Sequence, residues 1–211
     1  MKDLQYIIII AVVAVVLLTV FSRKIYGGLA GLFVPPERKA GLKGERMATS
    51  AIKGILQQGD RLITNAEIVF EDMRTEMDNV IVNRNGVFIV EVKYFIGTLS
   101  GNEEDFRWAK YKTTAAGNVY EKEVKNPIRQ VKRQIYILAN FLKERGVSVY
   151  IRGYAWLING NSPVEHKCIV GSIEEIDEAI HTPGRRMLND ATVNSIYKAI
   201  TSGSKTPKKS D

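Results

Sequence analysis

The chain has 211 residues, 45% of them hydrophobic and 25% charged, which is enough for one folded core with appendages. Its formal net charge of +7 favours contact with polyanions or anionic lipid, although a basic surface also serves solubility alone. The single cysteine, Cys168, excludes an internal disulfide and zinc sites built from paired cysteines.

The first element in chain order is the uncharged segment LQYIIIIAVVAVVLLTVF, from Leu4 to Phe21. As a helix it would be about 27 Å long, which nearly spans a bilayer core. We therefore predict a transmembrane helix over residues 4–22. Because Arg23 and Lys24 follow it directly, we expect a single-pass membrane protein whose C-terminal domain is cytoplasmic. The alternative interpretation is a signal peptide cleaved after Ala30.

The rest of the chain divides by composition. The Gly-rich, apolar stretch GGLAGLFVPP and the charged residues after it predict a juxtamembrane linker over 23–39. A folded domain is expected over 40–160, completed by a C-terminal strand and helices over 161–201. The polar, basic end of the chain predicts a disordered tail over 202–211.

Hydrophobic periodicity predicts the elements of the folded domain. A first helix over 44–59 has six apolar residues at helical spacing: Met47, Ala48, Ala51, Ile52, Ile55 and Leu56. Strands are predicted at Leu62–Phe70, Val80–Asn83, Val87–Val92, Val149–Leu157 and around Ile169. The polar stretch 94–123 has no predicted element.

A second helix is predicted to begin at Pro127, with Asn126 as its N-cap, and to end at Gly146. Two amphipathic helices, in IEEIDEAI and ATVNSIYKAI, follow the last strands. This order of elements predicts an α/β fold, with a mixed sheet flanked by helices.

Two apolar strands joined by Asn85-Gly86, in DNVIVNRNGVFIVEVK, predict a hairpin with those two residues as its turn. Counting outward, Asp78 then lies opposite Lys93 and diagonal to Glu91. Because paired residues share a face of the sheet, these three charged side chains emerge on one side.

This constellation is suited to metal-assisted phosphodiester hydrolysis. Asp78, Glu91 and the main-chain carbonyl of Val92 are candidate ligands for Mg²⁺ or Mn²⁺, which prefer oxygen donors and contact substrate phosphate. Lys93 would orient a water and offset charge in the transition state. The competing interpretation is a cross-strand salt bridge at the exposed end of a hairpin.

Two helices add polar candidates. Glu45 falls on the buried face at the start of the first predicted helix, where it is either a site residue or a first-turn acid favoured by the helix dipole. Gln130 lies near the apolar face of the second helix. Its neighbours Arg129, Lys132 and Arg133 form a basic flank, either for nucleic-acid phosphates or as an ordinary solvated surface.

The segments GERMATSAI, TEMDNVIVNRNGVFIVEVKYFIGTLSG, FRWAK and NPIRQVKRQIYIL, taken in this order, resemble the nuclease-related domain family, often called NERD, over roughly residues 40–160. That family is regarded as part of the PD-(D/E)xK, or restriction-endonuclease-like, superfamily. The resemblance implies an α/β nuclease core with Glu45, Asp78, Glu91 and Lys93 as the catalytic set and Gln130 as a further site residue.

We therefore expect a membrane-anchored, metal-dependent nuclease acting on DNA or RNA. The alternative function is a membrane-tethered module that binds nucleic acid or acts as a scaffold without catalysis. A third hypothesis assigns the basic charge to anionic lipid alone. The aromatic residues Trp108, Tyr111 and Tyr120, interleaved with lysines, are expected to pack into a core or lid, with base stacking as the alternative. Both histidines are expected at the surface.

Overall fold

A computed structural model describes residues 36–158, 164–184 and 186–204. Its elements in chain order are α1 Pro36–Ile55, β1 Arg61–Phe70, β2 Met73–Asn83, β3 Gly86–Tyr94, β4 Thr98–Ser100, β5 Arg107–Thr113, β6 Val119–Lys125, α2 Pro127–Lys143, β7 Ile151–Ile158, β8 Ile169–Val170, α3 Ile173–His181 and α4 Asp190–Gly203. The predicted transmembrane segment 4–22 lies outside these ranges. Among the described helices, none is long and apolar enough to cross a membrane.

The main sheet has five strands in the order β1-β2-β3-β7-β8. The β1, β2 and β3 strands pair antiparallel, whereas β3, β7 and β8 pair parallel. A parallel pair needs a crossover connection, and α2 lies within the segment that joins β3 to β7. The predicted mixed α/β sheet with flanking helices is confirmed.

Both faces of this sheet are covered, because successive side chains of the central strands point to opposite sides. One face packs against α2 and α4 through a cluster that includes Val80, Val82, Ile89, Ile137, Leu138, Ile196 and Ile200. The other face packs against α1 and α3 through Ile81, Phe88, Val90, Ala48, Ile52, Ile176 and Ile180. The continuous apolar runs of β2 and β3 result from this double coverage.

The helix α1 is longer than predicted. It begins at Pro36, inside the segment 23–39 predicted as a linker, because proline is well suited to the first position of a helix. From Gly41 onward it belongs to the compact unit that contains the other described elements. Ala48 and Ile52 are fully buried as predicted, but Met47 is 52% exposed. The prediction for Met47 was wrong because a helix turns about 100° per residue, which places neighbours on different faces.

The helix α2 begins as predicted. The side chain of Asn126 accepts hydrogen bonds from the N–H groups of Ile128 and Arg129, and Pro127 occupies the first turn. The helix ends at Lys143, three residues before Gly146, whose φ of +74° suits glycine. At the end of the chain, α4 extends to Gly203 and so enters the predicted tail 202–211.

The stretch 94–123 contains a second sheet that the sequence did not predict, with strand order β4-β5-β6. Trp108 is 1% exposed and packs with Leu99, Ile128 and Leu157, which confirms core packing over base stacking for this residue. Its ring lies against Gly101, where an added Cβ would be 2.2 Å from Trp108 Cδ1. Most other residues of these strands are exposed, so the strands lack the apolar alternation that marks a half-buried sheet.

Candidate active site

The turn between β2 and β3 consists of Arg84 and Asn85, one residue earlier than predicted, and Asn83 pairs with Gly86. The side chain of Asn83 explains this position. Its Oδ1 accepts a hydrogen bond from the Asn85 N–H at 2.9 Å, and its amide donates to the Ile180 carbonyl at the end of α3 at 3.0 Å. A local Asx turn held by a tertiary contact has replaced the predicted Asn-Gly turn.

This shift changes the pairing of the charged residues without changing their face. The ladder ends with Asn79 opposite Val90, so one further step places Asp78 opposite Glu91, whereas Lys93 was the predicted partner. Moving the turn by one residue shifts the register by two, and a two-residue shift preserves the side to which each side chain points. Asp78, Glu91 and Lys93 therefore share the face covered by α2.

Glu91 is the centre of the polar cluster on this face. Its side chain is almost fully buried, and Lys93 Nζ donates to Glu91 Oε1 at 2.6 Å. The amide of Gln130 on α2 donates to the same oxygen at 2.5 Å. These contacts bring together three of the predicted site residues. Hydrogen bonds to a buried charged group are the strong ones, so this carboxylate is held firmly.

Gln134, which sequence reasoning missed, completes the shell around Glu91. It is fully buried on α2, and its Nε2 donates to Glu91 Oε2 at 2.6 Å and to the Glu76 carbonyl at 2.9 Å. Its own Oε1 has no hydrogen-bond partner among the described residues. The signal available in the sequence was a glutamine one helical turn after Gln130, between the buried Val131 and Leu138.

Asp78 lies where β2 and β3 separate. Its Oδ2 accepts a hydrogen bond from the Val92 N–H at 2.7 Å, which occupies a donor that no longer pairs with β2. Burial raises the pKa of Asp78 to about 7, and the negative charge of Glu91 adds to this, while the Val92 N–H and Lys93 act in the opposite direction. Two carboxylates that share one desolvated place thus repel each other, and this repulsion favours the protonated form of Asp78.

Glu45 reaches the cluster from α1. Its pKa is raised by partial burial and then by the charges of Glu91 and Glu76. The close approach of α1 to β3 depends on Gly44, where an added Cβ would be 2.5 Å from Tyr94 Cβ. Because α1 begins nine residues before Glu45, the alternative prediction of a first-turn acid at the helix dipole was wrong.

The basic flank of α2 makes contacts within the protein. The guanidinium of Arg129 lies 4.1 Å from the ring centroid of Phe106, and Lys132 pairs with Glu103. Arg133 donates to a β2 carbonyl at 3.1 Å. These contacts give the three residues structural roles, and their predicted contact with phosphates stays a prediction.

The two histidines are less exposed than predicted and lie in separate ion pairs. His166 Nε2 is 3.1 Å from Glu103 Oε2, and the imidazole is 13% exposed. His181 lies between Asp60 at 3.0 Å and Asp177 at 2.6 Å, with 16% of its side chain exposed. Both histidines are thus only partly exposed, and each ring lies beside a carboxylate.

The donors that the sequence assigned to a metal are two carboxylates and one carbonyl. No group of three or more His, Cys, Asp or Glu side chains suited to a metal ion occurs in residues 36–158, 164–184 and 186–204. A carboxylate offers about four lone-pair positions. On Glu91, three of those positions are occupied by donors from Lys93, Gln130 and Gln134. Among the described residues, Asp78 accepts from the Val92 N–H alone. Since a strand residue presents its N–H and C=O to the same side, the Val92 carbonyl points toward β2, the strand that carries Asp78. These oxygens fit a hard divalent cation that keeps several waters.

Comparison with known protein families gives one match. Residues 40–158 match the family described as NERD, nuclease-related domain, and this match covers more than half of the chain. No curated protein matches the chain. The matched region contains α1 from its fifth residue, the site residues of β2 and β3, and all of α2. The chain therefore belongs to the nuclease-related domain family.

Proposed function

We propose that this protein hydrolyses phosphodiester bonds of DNA or RNA with Mg²⁺ or Mn²⁺ bound at Asp78 and Glu91. The observation that carries the proposal is the pair formed by these two carboxylates, in which burial and the charge of Glu91 raise the pKa of Asp78 to about 7. Carboxylates with raised pKa values cluster at functional sites, so the pair favours a functional role. Membership of the nuclease-related family supports the same reaction class.

Each side chain has a separate task in this proposal. Asp78, Glu91 and the Val92 carbonyl would hold the cation, which when bound polarises the phosphoryl group and lowers the pKa of a water. Gln130 and Gln134 hold the Glu91 carboxylate in one orientation through both of its oxygens. Because a proton and a cation compete for Asp78, cation binding is expected to strengthen as the pH rises through about 7.

Lys93 is the candidate for direct contact with the reacting phosphate. Its ammonium group donates to Glu91 Oε1, and its side chain is 19% exposed, so it is both positioned by the cluster and accessible from outside. A fixed positive charge beside the scissile group offsets the negative charge that develops in the transition state. Glu45 adds a further carboxylate near Lys93 and Glu91, where it would help to orient the attacking water.

Binding of nucleic acid without cleavage is the second candidate function. The observation that favours it is the saturation of Glu91, whose charge is already paired with Lys93 and whose oxygens accept from two glutamines. In this interpretation, Glu91 and Lys93 form a structural ion pair at the position where an active nuclease would bind a metal. The two functions differ in whether the protein binds a cation.

Incubation of the purified chain with labelled single-stranded and double-stranded DNA and RNA, with Mg²⁺, Mn²⁺ or EDTA, separates these functions. Cleavage that needs the cation and is lost in Asp78→Ala and in Lys93→Ala supports catalysis. The matched control is Asp190→Ala, which removes an exposed carboxylate paired with Arg84 and should leave cleavage unchanged. Equal cleavage in all the variants would identify a contaminating nuclease and overturn the proposal, and salt-sensitive binding without cleavage would favour the second function.

We also propose that residues 4–22 anchor the protein in a membrane, with the nuclease-related domain in the cytoplasm. The uncharged run from Leu4 to Phe21 and the basic residues directly after it support this topology. Extraction of membranes with alkaline carbonate should leave the protein in the pellet. N-terminal sequencing of the membrane-purified protein should read from the first residues, and a sequence that starts after Ala30 would refute the anchor.

A further inference from the structure

The hairpin formed by β5 and β6 presents two chemically different faces. Pairs that alternate along an antiparallel ladder point to opposite sides of a sheet. One face, here called the lysine face, carries the pairs Trp108–Val124, Lys110–Lys122 and Lys112–Tyr120. The opposite face carries Arg107–Lys125, Ala109–Glu123, Tyr111–Glu121 and Thr113–Val119.

Charge is segregated between these faces. Both carboxylates of the two strands, Glu121 and Glu123, lie on the opposite face, where Glu123 is 3.6 Å from Arg107. On the lysine face, Lys110 lies directly opposite Lys122, and Lys112 follows two residues after Lys110 on the same side. A face that carries three lysines, with both carboxylates of the strands on the opposite side, is suited to contact with a polyanion.

The lysine face begins beside the candidate active site. Its first pair, Trp108–Val124, packs against the main domain. Trp108 is buried in a cluster with Ile128 at the start of α2 and with Phe95, two residues after Lys93. The ammonium group of Lys110 lies 5.6 Å from the ring centroid of Phe95. Asn126, the N-cap of α2, also donates to three carbonyls of the loop between β4 and β5. The base of the hairpin is therefore attached to the same elements that hold Glu91.

The outer part of the face is accessible. Tyr120 is 61% exposed and lies opposite Lys112, which is also exposed. Lysines beside an accessible aromatic ring are the combination that proteins use to bind nucleic-acid strands, with ammonium groups on phosphates and rings against bases. An anionic lipid surface would use the same charges, and membership of the nuclease-related family favours a nucleic-acid strand over it.

We propose that the lysine face of the β5–β6 hairpin binds the phosphate backbone of a nucleic-acid strand and guides it to the carboxylate cluster. This proposal deepens the proposed function, on which it rests for the identity of the substrate. It assigns contact with phosphates to Lys112, which is exposed, and to Lys110, which is half-buried and lies over the Phe95 ring at the base of the face.

Binding measured without catalysis tests this proposal separately from the proposed function. The full chain in detergent, in EDTA, is titrated into fluorescently labelled single-stranded and duplex oligonucleotides over a range of salt concentrations. The Lys110→Gln/Lys112→Gln double variant removes two charges from the lysine face. The matched control, Arg107→Gln/Lys125→Gln, removes two charges from the opposite face of the same strands.

The lysine-face double variant is expected to bind at least about tenfold more weakly at 0.1 M salt, with a salt slope reduced by about 1.4 to 1.8, because each phosphate contact contributes about 0.7 to 0.9. The control should change neither quantity by more than half as much. If the double variant fails to fold, the single variant Lys112→Gln replaces it. Its salt slope of binding is expected to be reduced by about 0.7 to 0.9.

Equal losses in the two double variants, or no loss in the lysine-face variant, would overturn the proposal. Displacement of the oligonucleotide by phosphatidylserine mixed micelles in the wild type, with no effect of the lysine substitutions on oligonucleotide binding, would assign the face to lipid and also overturn it. Wild-type binding without any cleavage in Mg²⁺ or Mn²⁺ would refute the proposed function while leaving this binding surface intact.

Discussion

Replacing Asp78 with asparagine should stabilise the fold at alkaline pH. The pKa of Asp78 is raised from 3.8 to about 7, chiefly by burial and then by Glu91, so the folded state keeps a proton that the unfolded state loses between those values. Stability of the wild type therefore falls as the pH rises through this window, and the deficit is complete above about pH 7. About three pH units at roughly 1.4 kcal/mol each set a ceiling of about 4 kcal/mol.

At pH 8, Asp78→Asn is expected to raise the free energy of unfolding by about 2 to 4 kcal/mol. The gain can fall below the ceiling because the new amide must itself find hydrogen-bond partners at a buried position. Its oxygen can still accept from the Val92 N–H. For a domain of this size that gain corresponds to a rise in Tm of about 5 to 15 °C. The measurement is thermal unfolding in EDTA, followed by the intrinsic fluorescence of Trp108 and Trp156, at pH 4 and at pH 8.

At pH 4 the wild type and the variant should unfold at nearly the same temperature, because Asp78 is then protonated in the folded state. Mg²⁺ should raise the Tm of the wild type at pH 8 and leave the variant unchanged. The control Asp190→Asn, at an exposed position paired with Arg84, should give no gain at pH 8. A variant no more stable than the wild type at pH 8, or equally stabilised at both pH values, would refute the assignment of a repulsive carboxylate pair.

Two further substitutions probe the supports of the site, a third is a control in the same helix, and a fourth probes a histidine outside the site. Gln134→Met should destabilise the fold by about 1.5 to 3 kcal/mol in urea titrations, because it leaves a buried oxygen of Glu91 without its donor, and an unchanged midpoint would contradict that role. Gly44→Ala should destabilise by about 1 to 3 kcal/mol, because the new methyl group would be 2.5 Å from the last side chain of β3. Gly54→Ala in the same helix, with nothing within 4 Å, should instead stabilise by about 0.5 to 1 kcal/mol, and equal effects of the two would refute the close approach. Burial lowers the pKa of His181, but hydrogen bonds to its two aspartates outweigh this and raise the pKa overall. The loss of stability in His181→Gln should therefore be full below pH 6.5 and shrink as the pH rises above that value. A loss independent of pH would refute the pairing.

The main sheet was predictable because its strands and helices have strong local patterns. The Asn126-Pro127 pair marked the start of α2, and the apolar runs of β2 and β3 marked two central strands. The common face of Asp78 and Glu91 also followed from the sequence, since it depends only on whether the separation of two paired residues is odd or even. The turn was predicted one residue too late, but the resulting two-residue shift in register leaves this odd-or-even relation unchanged.

The second sheet was missed because its strands bury little. Only Trp108 of β5 is fully buried, and the remaining side chains of β5 and β6 are exposed or half-buried. Gln134 was missed for a related reason. A glutamine between buried apolar residues has no meaning until its partner is known, and that partner, Glu91, lies 43 positions away in the chain.

The sequence by itself determined the order of the elements around the main sheet, the family, and which charged residues share a face, because helix and strand periods and short motifs are local properties. Only the tertiary structure decided the turn at Arg84 and Asn85, the shell of glutamines around Glu91, and the charge segregation of the β5–β6 hairpin. The turn and the glutamine shell depend on contacts between segments far apart in the chain, such as Asn83 with Ile180, and the hairpin depends on the pairing of two strands that bury few side chains. Local propensity contains no information about such contacts. The same contacts bury Asp78 beside Glu91, and this burial raises the pKa of Asp78.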